Sequence, residues 1–134
     1  MSKSKRQIAR SQAIISIYQY LLVDQSREDI VIFLNEDETL RKDPKSIDFA
    51  LWLIDTTIEN IDSYKGIISK YLKEGWTFER LSYMEQAILL IAACEILESD
   101  LDVRIIINEA VINAKEFCDE TSYKFINGVL HKLV

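Results

Sequence analysis

The chain is poor in the residues that break helices, form disulfides or ligate metals. Among 134 residues it has three glycines, one proline, two cysteines and one histidine. So few turn formers favour an all-α fold. The cysteines form no CxxC motif, which argues against a disulfide framework or a zinc site. The longest apolar run, residues 87–94, is far too short to span a membrane, and no apolar stretch follows the basic start as in a signal peptide. We therefore expect a cytoplasmic protein without a membrane segment.

The remaining pattern predicts one domain, residues 1–134, built as an all-α bundle of about seven helices. Ser26, Asp43 and Ser82 are candidate N-caps, and Ser82 forms a capping box with Glu85. The segment between Ala87 and Cys94 is apolar on nearly every side, which is typical of a central helix. The predicted helices are Lys5–Leu22, Arg27–Asn35, one starting at Pro44, Ser63–Leu72, one from Ser82 to about Leu97, and two more joined by Cys118–Thr121. A polar loop is predicted at residues 35–43. The predicted core stripes are Ile8, Ile15, Tyr18 and Leu22 on the first helix and Ile47, Leu51, Ile54, Ile58 and Ile61 on the helix from Pro44.

Some polar residues of the last third are not required by core packing. They are Asn108-Glu109, Lys124-Phe125 and Asn127-Gly128. Asn-Gly is typical of hairpin turns, but the spacing around it is helical, so we interpret it as part of the last helix. Glycine there costs about 1 kcal/mol relative to alanine. We expect a neighbouring helix, or alternatively a ligand backbone, to approach it closely.

The charge of the chain is uneven. The first ten residues carry four basic side chains and no acid, whereas the other 124 carry 12 basic and 22 acidic side chains, a net charge of −10. Residues 1–7 are a predicted basic arm. Such an arm neutralises phosphates without sequence preference, but charge alone favours a solubilising terminus, because the acidic body would repel nucleic acid.

No pattern of catalytic residues is present. His131 is the lone histidine, no serine or cysteine motif supplies a nucleophile with its base, and the glycines form no phosphate loop. The clustered acids are typical of solvated faces or loops. We expect no enzymatic activity, no cofactor and no metal.

Three ordered segments resemble the NusB family of bacterial transcription antitermination factors. They are ARSQAIISIYQYLL (residues 9–22), RLSYMEQAILLIAACEIL (80–97) and the INEAV, AK and KFINGVL elements of residues 107–130. Residues 24–75 match in helical pattern only. The resemblance implies a NusB-like fold and a factor that, with a NusE-type small-subunit ribosomal protein, binds boxA RNA and joins the elongating RNA polymerase. It would favour read-through, chiefly in ribosomal RNA operons.

The resemblance also implies two groups of functional residues. Cations on the backbone and aromatic surfaces under the bases are the usual means of holding unpaired RNA. For the partner, Tyr18 and Glu85 match docking positions of the family, although Tyr18 also fits a core stripe. The residues implied in RNA binding are Lys3, Lys5, Arg6, Arg10, Lys124 and Phe125.

Several departures and alternatives remain open. Gln86 and Leu90 stand where basic residues are common in the family, and Thr121 and His131 stand where acids occur. A helical protein-interaction module without RNA binding is one alternative. Another is a relative of the RNA-binding domain of ribosomal RNA cytosine methyltransferases, although no catalytic domain is expected after Val134. A homodimer is also possible.

Overall fold

The computed structural model describes residues 3–134, and within them the chain forms eight α-helices, one short 3₁₀ turn and no strand. This confirms the predicted all-α class. No helix of the described part is both long and apolar enough to cross a membrane. The helices are α1 (Lys5–Val23), α2 (Arg27–Glu36), α3 (Glu38–Arg41), α4 (Pro44–Glu59), α5 (Ile61–Ser69), α6 (Tyr83–Glu98), α7 (Val103–Phe117) and α8 (Glu120–Leu133), with the 3₁₀ turn at Phe78–Arg80 before α6.

The helix α6 lies at the centre, as its apolar sequence predicts. Every residue from Gln86 to Glu95 is buried, and α6 contacts α1, α4, α5, α7 and α8. The predicted capping box is present: the Glu85 backbone N–H donates to Ser82 Oγ, and the Ser82 backbone N–H donates to the Glu85 carboxylate. A helix that is apolar all round can be stable only when other helices cover all its faces.

The buried faces of α1 and α4 differ from those predicted. We expected Ile8, Ile15, Tyr18 and Leu22 to form the core face of α1, but Leu22 is 49% exposed and the other three are half-buried. The face that is buried includes Ala9, Ala13 and Ser16 on α1, and Ser46, Ala50 and Thr57 on α4. These small side chains allow α1 and α4 to pack closely. The same faces also bury Ile14 and Ile17 on α1 and Leu53 and Ile54 on α4, so Ile54 is the one buried residue of the two predicted stripes.

The helix boundaries also differ from the predicted ones in two places. A four-residue helix, α3, lies within the predicted polar loop of residues 35–43, because Asp37 caps it at the Leu40 N–H and Leu40 is fully buried. The next difference is at α5, which follows α4 without a loop and spans Ile61–Ser69 instead of Ser63–Leu72.

The Asn127-Gly128 pair is helical, as predicted, but the close approach of a neighbouring helix expected there is wrong, and the alternative approach by a ligand backbone stays a prediction. Gly128 is exposed, and a Cβ placed on it would have no atom within 4 Å. No neighbouring helix therefore needs a glycine at this position.

Candidate functional site

The first turn of α1 presents two cations at the positive end of a helix. Ser4 is the N-cap, and it exchanges hydrogen bonds with Gln7 in a capping box. Lys5 and Arg6 follow in the first turn, both exposed, and this turn contains no acid. Cations at a helix N-terminus cost a few tenths of a kcal/mol each because they oppose the helix dipole. The arrangement is unfavourable to α1 but well suited to an anion, which the dipole and both side chains attract together.

Lys3 folds back along α1. Its Nζ donates to Ser11 Oγ at 3.3 Å and forms an ion pair with Glu116 near the end of α7. The residues of the predicted arm that the structure describes therefore lie against the helices, with Lys5 to Gln7 inside α1. Residues 1 and 2 of that arm lie outside the described part.

Arg10 is at the centre of a buried polar network. It is 6% exposed, and its Nε and one terminal nitrogen donate to the two oxygens of Glu95 at 2.6 and 2.9 Å. Its other terminal nitrogen lies 3.9 Å from Glu109, which also accepts from Gln7 Nε2 at 3.1 Å. The guanidinium is therefore occupied by protein carboxylates. Helical periodicity does not explain the glutamate at position 109, but its contacts with Arg10 and Gln7 do.

Two more buried side chains complete the network between α1 and α7. Ser11 Oγ donates to Asn113 Oδ1 at 2.8 Å, and Asn113 Nδ2 donates to the Glu109 carbonyl at 2.9 Å. Sequence reasoning did not identify Glu95 or Asn113 as members of a site. A carboxylate within the most apolar helix was the available signal, because a buried charge needs a partner.

Glu85 and Phe125 meet at a hollow between α6, α8 and the loop before α6. Besides capping α6, Glu85 accepts a hydrogen bond from Ser122 Oγ at 2.9 Å, which ties α8 to α6. Phe125 is half-buried and lines the same hollow, of about 320 Å³, together with Trp76, Leu81 and others. The structure thus brings together one residue predicted for the partner and one predicted for RNA.

Lys124 and Tyr18 lie in different surroundings. Lys124 is exposed and pairs with Glu120 one turn earlier at 2.9 Å. Tyr18 is half-buried against the core. The start of α1 shares a hollow with Ser99 at the end of α6, and Ile14 lies near Ile88 and Ile91, so the two helices run antiparallel. From the Arg10–Glu95 pair, at 1.5 Å per residue, Tyr18 lies about 12 Å further along α1 and Glu85 about 15 Å back along α6. Both therefore lie toward the same end of the bundle.

An aromatic pair adjoins the cations of α1, and sequence reasoning missed it. Phe49 and Trp52 of α4 stack with ring centroids 6.3 Å apart and planes inclined by 21°. The guanidinium carbon of Arg6 lies 4.0 Å from the Phe49 centroid, and that of Arg10 lies 5.6 Å from it. Trp52 remains 37% exposed. The available signal was a pair of aromatic residues one turn apart and off the predicted core stripe.

The two thiols are free and not activated. Burial raises the pKa of Cys94 to about 11, although the neighbouring Thr57 and Tyr64 hydroxyls lower it. Burial also raises the pKa of Cys118. Raised values make both thiols poor nucleophiles at neutral pH. Within residues 3–134, no group of three or more acids, histidines and cysteines is placed to hold a metal ion.

Comparison with known proteins gives consistent matches over almost the whole chain. Residues 7–134 match the model of the NusB family. The transcription antitermination protein NusB of a Sulfurovum species is 41% identical over 128 residues, which cover 93% of this chain and 94% of that protein. That of a Nitratiruptor species is 38% identical over 125 residues, covering 93% and 88%.

Solved structures give the same result. T. maritima NusB is 30% identical with a TM-score of 0.82, and the match covers 99% of this chain and 92% of that one. A chain in the crystal structure of the antitermination factors NusB and NusE in complex with dsRNA is 26% identical with a TM-score of 0.78, covering 96% and 95%.

Proposed function

This chain belongs to the NusB family, and from that premise we propose that it is a transcription antitermination factor that binds boxA-type RNA jointly with a NusE-type small-subunit ribosomal protein. The pair would join the elongating RNA polymerase in the cytoplasm and promote read-through of terminators in ribosomal RNA operons. The proposal assigns no reaction and no cofactor to the chain. The observation that carries it is the match to a chain of the NusB–NusE–dsRNA complex over 96% of its length.

The start of α1 is the proposed phosphate-binding surface. Lys5 and Arg6 are exposed beside the N-terminus of α1, where the helix gains nothing from cations. Departures from local stability rules are expected at functional sites. In this surface Lys3 is held near α1 by Ser11 and Glu116, so a phosphate would compete with Glu116 for its ammonium group.

Arg10 takes a different part in the proposal. Its guanidinium is buried against Glu95, so we assign it to fixing α1 on α6 and α7, which positions Lys5 and Arg6. Phe125, with Lys124 beside it, remains the proposed contact for one base and its phosphate. The side chain is half-buried and lines the hollow that it shares with Glu85.

The partner is proposed to dock at the end of the bundle that carries Tyr18 and Glu85. A half-buried tyrosine offers a large apolar area with a polar tip. The Glu85 carboxylate is already held by Ser82 and Ser122, so it loses little conformational entropy when a partner donor approaches.

The test is fluorescence anisotropy with a boxA-type RNA and a scrambled RNA, with and without the NusE-type protein, across a salt series. We expect selective binding that is strongest with both proteins. The doubly substituted variant Lys5→Glu/Arg6→Glu should bind more weakly. The salt slope, which is the decrease of the logarithm of the binding constant with the logarithm of the salt concentration, should fall by about 1.4, since a single-strand phosphate contact contributes about 0.7.

The charge reversal is informative because it should not unfold the protein. Glutamates at the start of α1 complement the helix dipole, so the variant should keep its thermal stability. The matched control, Lys70→Glu/Lys132→Glu, makes the same change of charge at exposed positions near the ends of α5 and α8. Equal losses of RNA affinity in both variants would show that the net charge of the protein, and not the start of α1, causes the effect. If the partner is captured but neither RNA is bound, the chain is a protein-docking module.

A further inference from the structure

The proposed phosphate-binding surface continues onto α4 as a stripe of one cation and two aromatic rings. Lys45, Phe49 and Trp52 follow one another at steps of four and three residues, so they share one face of α4. Arg6 joins the two helices, because its guanidinium lies 4.0 Å from the Phe49 ring centroid. The stripe therefore begins where the α1 surface ends.

The cations of the two helices act on a common acidic neighbour. The pKa of Asp43, the residue before α4, is lowered first by the hydrogen bond from the Ser46 hydroxyl and further by the charges of both Lys5 and Lys45. Lys45 is exposed, as are Lys5 and Arg6.

The acids at the start of α4 do not cancel the positive charge of the stripe, since Asp43 and the exposed Asp48 oppose Lys5, Arg6 and Lys45. The hollow that Arg6 and Phe49 line also contains Glu95 and Glu109, which share the single charge of Arg10. One turn beyond Trp52, Asp55 is neutralised by Arg27, whose guanidinium donates to both carboxylate oxygens at 2.9 and 3.1 Å.

The two rings have the form of a stacking platform. Phe49 is half-buried and covered by Arg6, so it is fixed in place. Trp52 stacks on Phe49 and keeps 37% of its surface exposed. An exposed indole on a fixed ring, beside cations, is the combination that holds an unpaired base and its phosphate.

We infer that Trp52, supported by Phe49 and Arg6, stacks on an unpaired base of the bound RNA, while Lys45 contacts the adjacent phosphate. The inference rests on the proposed function and extends its RNA path from the start of α1 across α4. Cations and continuity with the α1 surface favour a polyanion over a protein as the occupant. Nothing in the NusB-like sequence motifs of the chain includes this stripe.

The test compares four variants in the boxA anisotropy assay with the NusE-type protein present. Trp52→Leu should weaken binding about tenfold, which corresponds to one lost stacked base, and should leave the salt slope unchanged because no phosphate contact is removed. Trp52→Phe should retain most of the affinity, since a ring remains. Lys45→Ala should lower the slope by about 0.7. Ile112→Ala removes an apolar side chain of almost equal exposure, 38%, from α7 and should have no effect.

Two results would overturn the inference while leaving the proposed function intact. One is unchanged RNA affinity in Trp52→Leu when the unsubstituted protein binds boxA selectively. The other is weaker capture of the NusE-type protein by Trp52→Leu without RNA, which would make the stripe a protein-binding face. If the unsubstituted protein with its partner binds no RNA, the proposed function fails, and this inference fails with it.

Discussion

Replacing Arg10 by methionine should cost much of the stability of the protein. The substitution leaves Glu95, only 2% exposed, and the nearby Glu109 without their cation. Removing one partner of a buried ion pair costs about 3–5 kcal/mol, a large share of the roughly 5–15 kcal/mol that stabilises a typical domain. At about 4 °C per kcal/mol for a chain of this size, the melting temperature should fall by about 12–20 °C.

The geometry also predicts an asymmetry between the two partners. Glu95→Gln leaves Arg10 with Glu109 as a second carboxylate 3.9 Å away, so it should cost about half as much as Arg10→Met. In Arg10→Met/Glu95→Met no charge of the pair remains, and a pair of apolar side chains of similar volume is often tolerated. The double variant should therefore be more stable than Arg10→Met alone.

Urea unfolding followed by far-UV circular dichroism measures all three variants. The control is Lys42→Met, which removes an ion pair with Glu38 whose side chains are about 70% exposed; it should change stability by less than about 1 kcal/mol. If Arg10→Met is as stable as this control, or if the double variant is no more stable than Arg10→Met, the buried ion pair does not contribute to stability in this way.

Three further predictions concern other parts of the fold. Gly128→Ala should raise the free energy of unfolding by about 1 kcal/mol, because the new methyl group meets no atom within 4 Å; a lower melting temperature would contradict this. Ser122→Ala should cost about 1 kcal/mol by removing the hydrogen bond to Glu85, while the α6 capping box persists; an unchanged denaturation midpoint would show that this bond contributes nothing. The Cys94 thiol should make stability fall by about 2 kcal/mol as pH rises from about 9 to 11, because its pKa is raised to about 11 in the folded state and is near 9 when unfolded. Urea titrations at stepped pH check this, and Cys94→Ala should lack most of the decline.

The sequence was sufficient to predict features that depend on neighbours along the chain. The capping box of Ser82 and Glu85, the cap at Ser26 and the central position of the apolar helix α6 are confirmed. Each of these depends on residues within one or two helical turns. The helical interpretation of Asn127-Gly128 is confirmed for the same reason, since spacing alone decided it.

Features that depend on pairing between distant residues could not be predicted. Arg10 and Glu95 are 85 positions apart, and from sequence one looked like part of a cationic surface and the other like part of an apolar helix. The choice between two possible faces of α1 could not be made because both carry large apolar residues, Ile14 and Ile17 on the buried face and Ile8 and Ile15 on the half-buried one. The stack of Phe49 on Trp52 is visible in the sequence as spacing, but Arg6 completes it from another helix.

The charge distribution has a further consequence for RNA binding. Of the basic side chains predicted at the start of the chain, Lys3 pairs with Glu116 and Arg10 with Glu95, whereas no ion pair within residues 3–134 involves Lys5 or Arg6. The contacts proposed for Lys5, Arg6, Lys45 and Lys124 together give a salt slope of only about 2.8 on single-stranded RNA, and the net charge of −6 opposes binding. The chain alone should therefore bind boxA RNA weakly, and the slope measured with the NusE-type protein should be larger by the phosphate contacts that the partner adds. Equal slopes and affinities with and without that partner would show that the RNA surface lies within this chain.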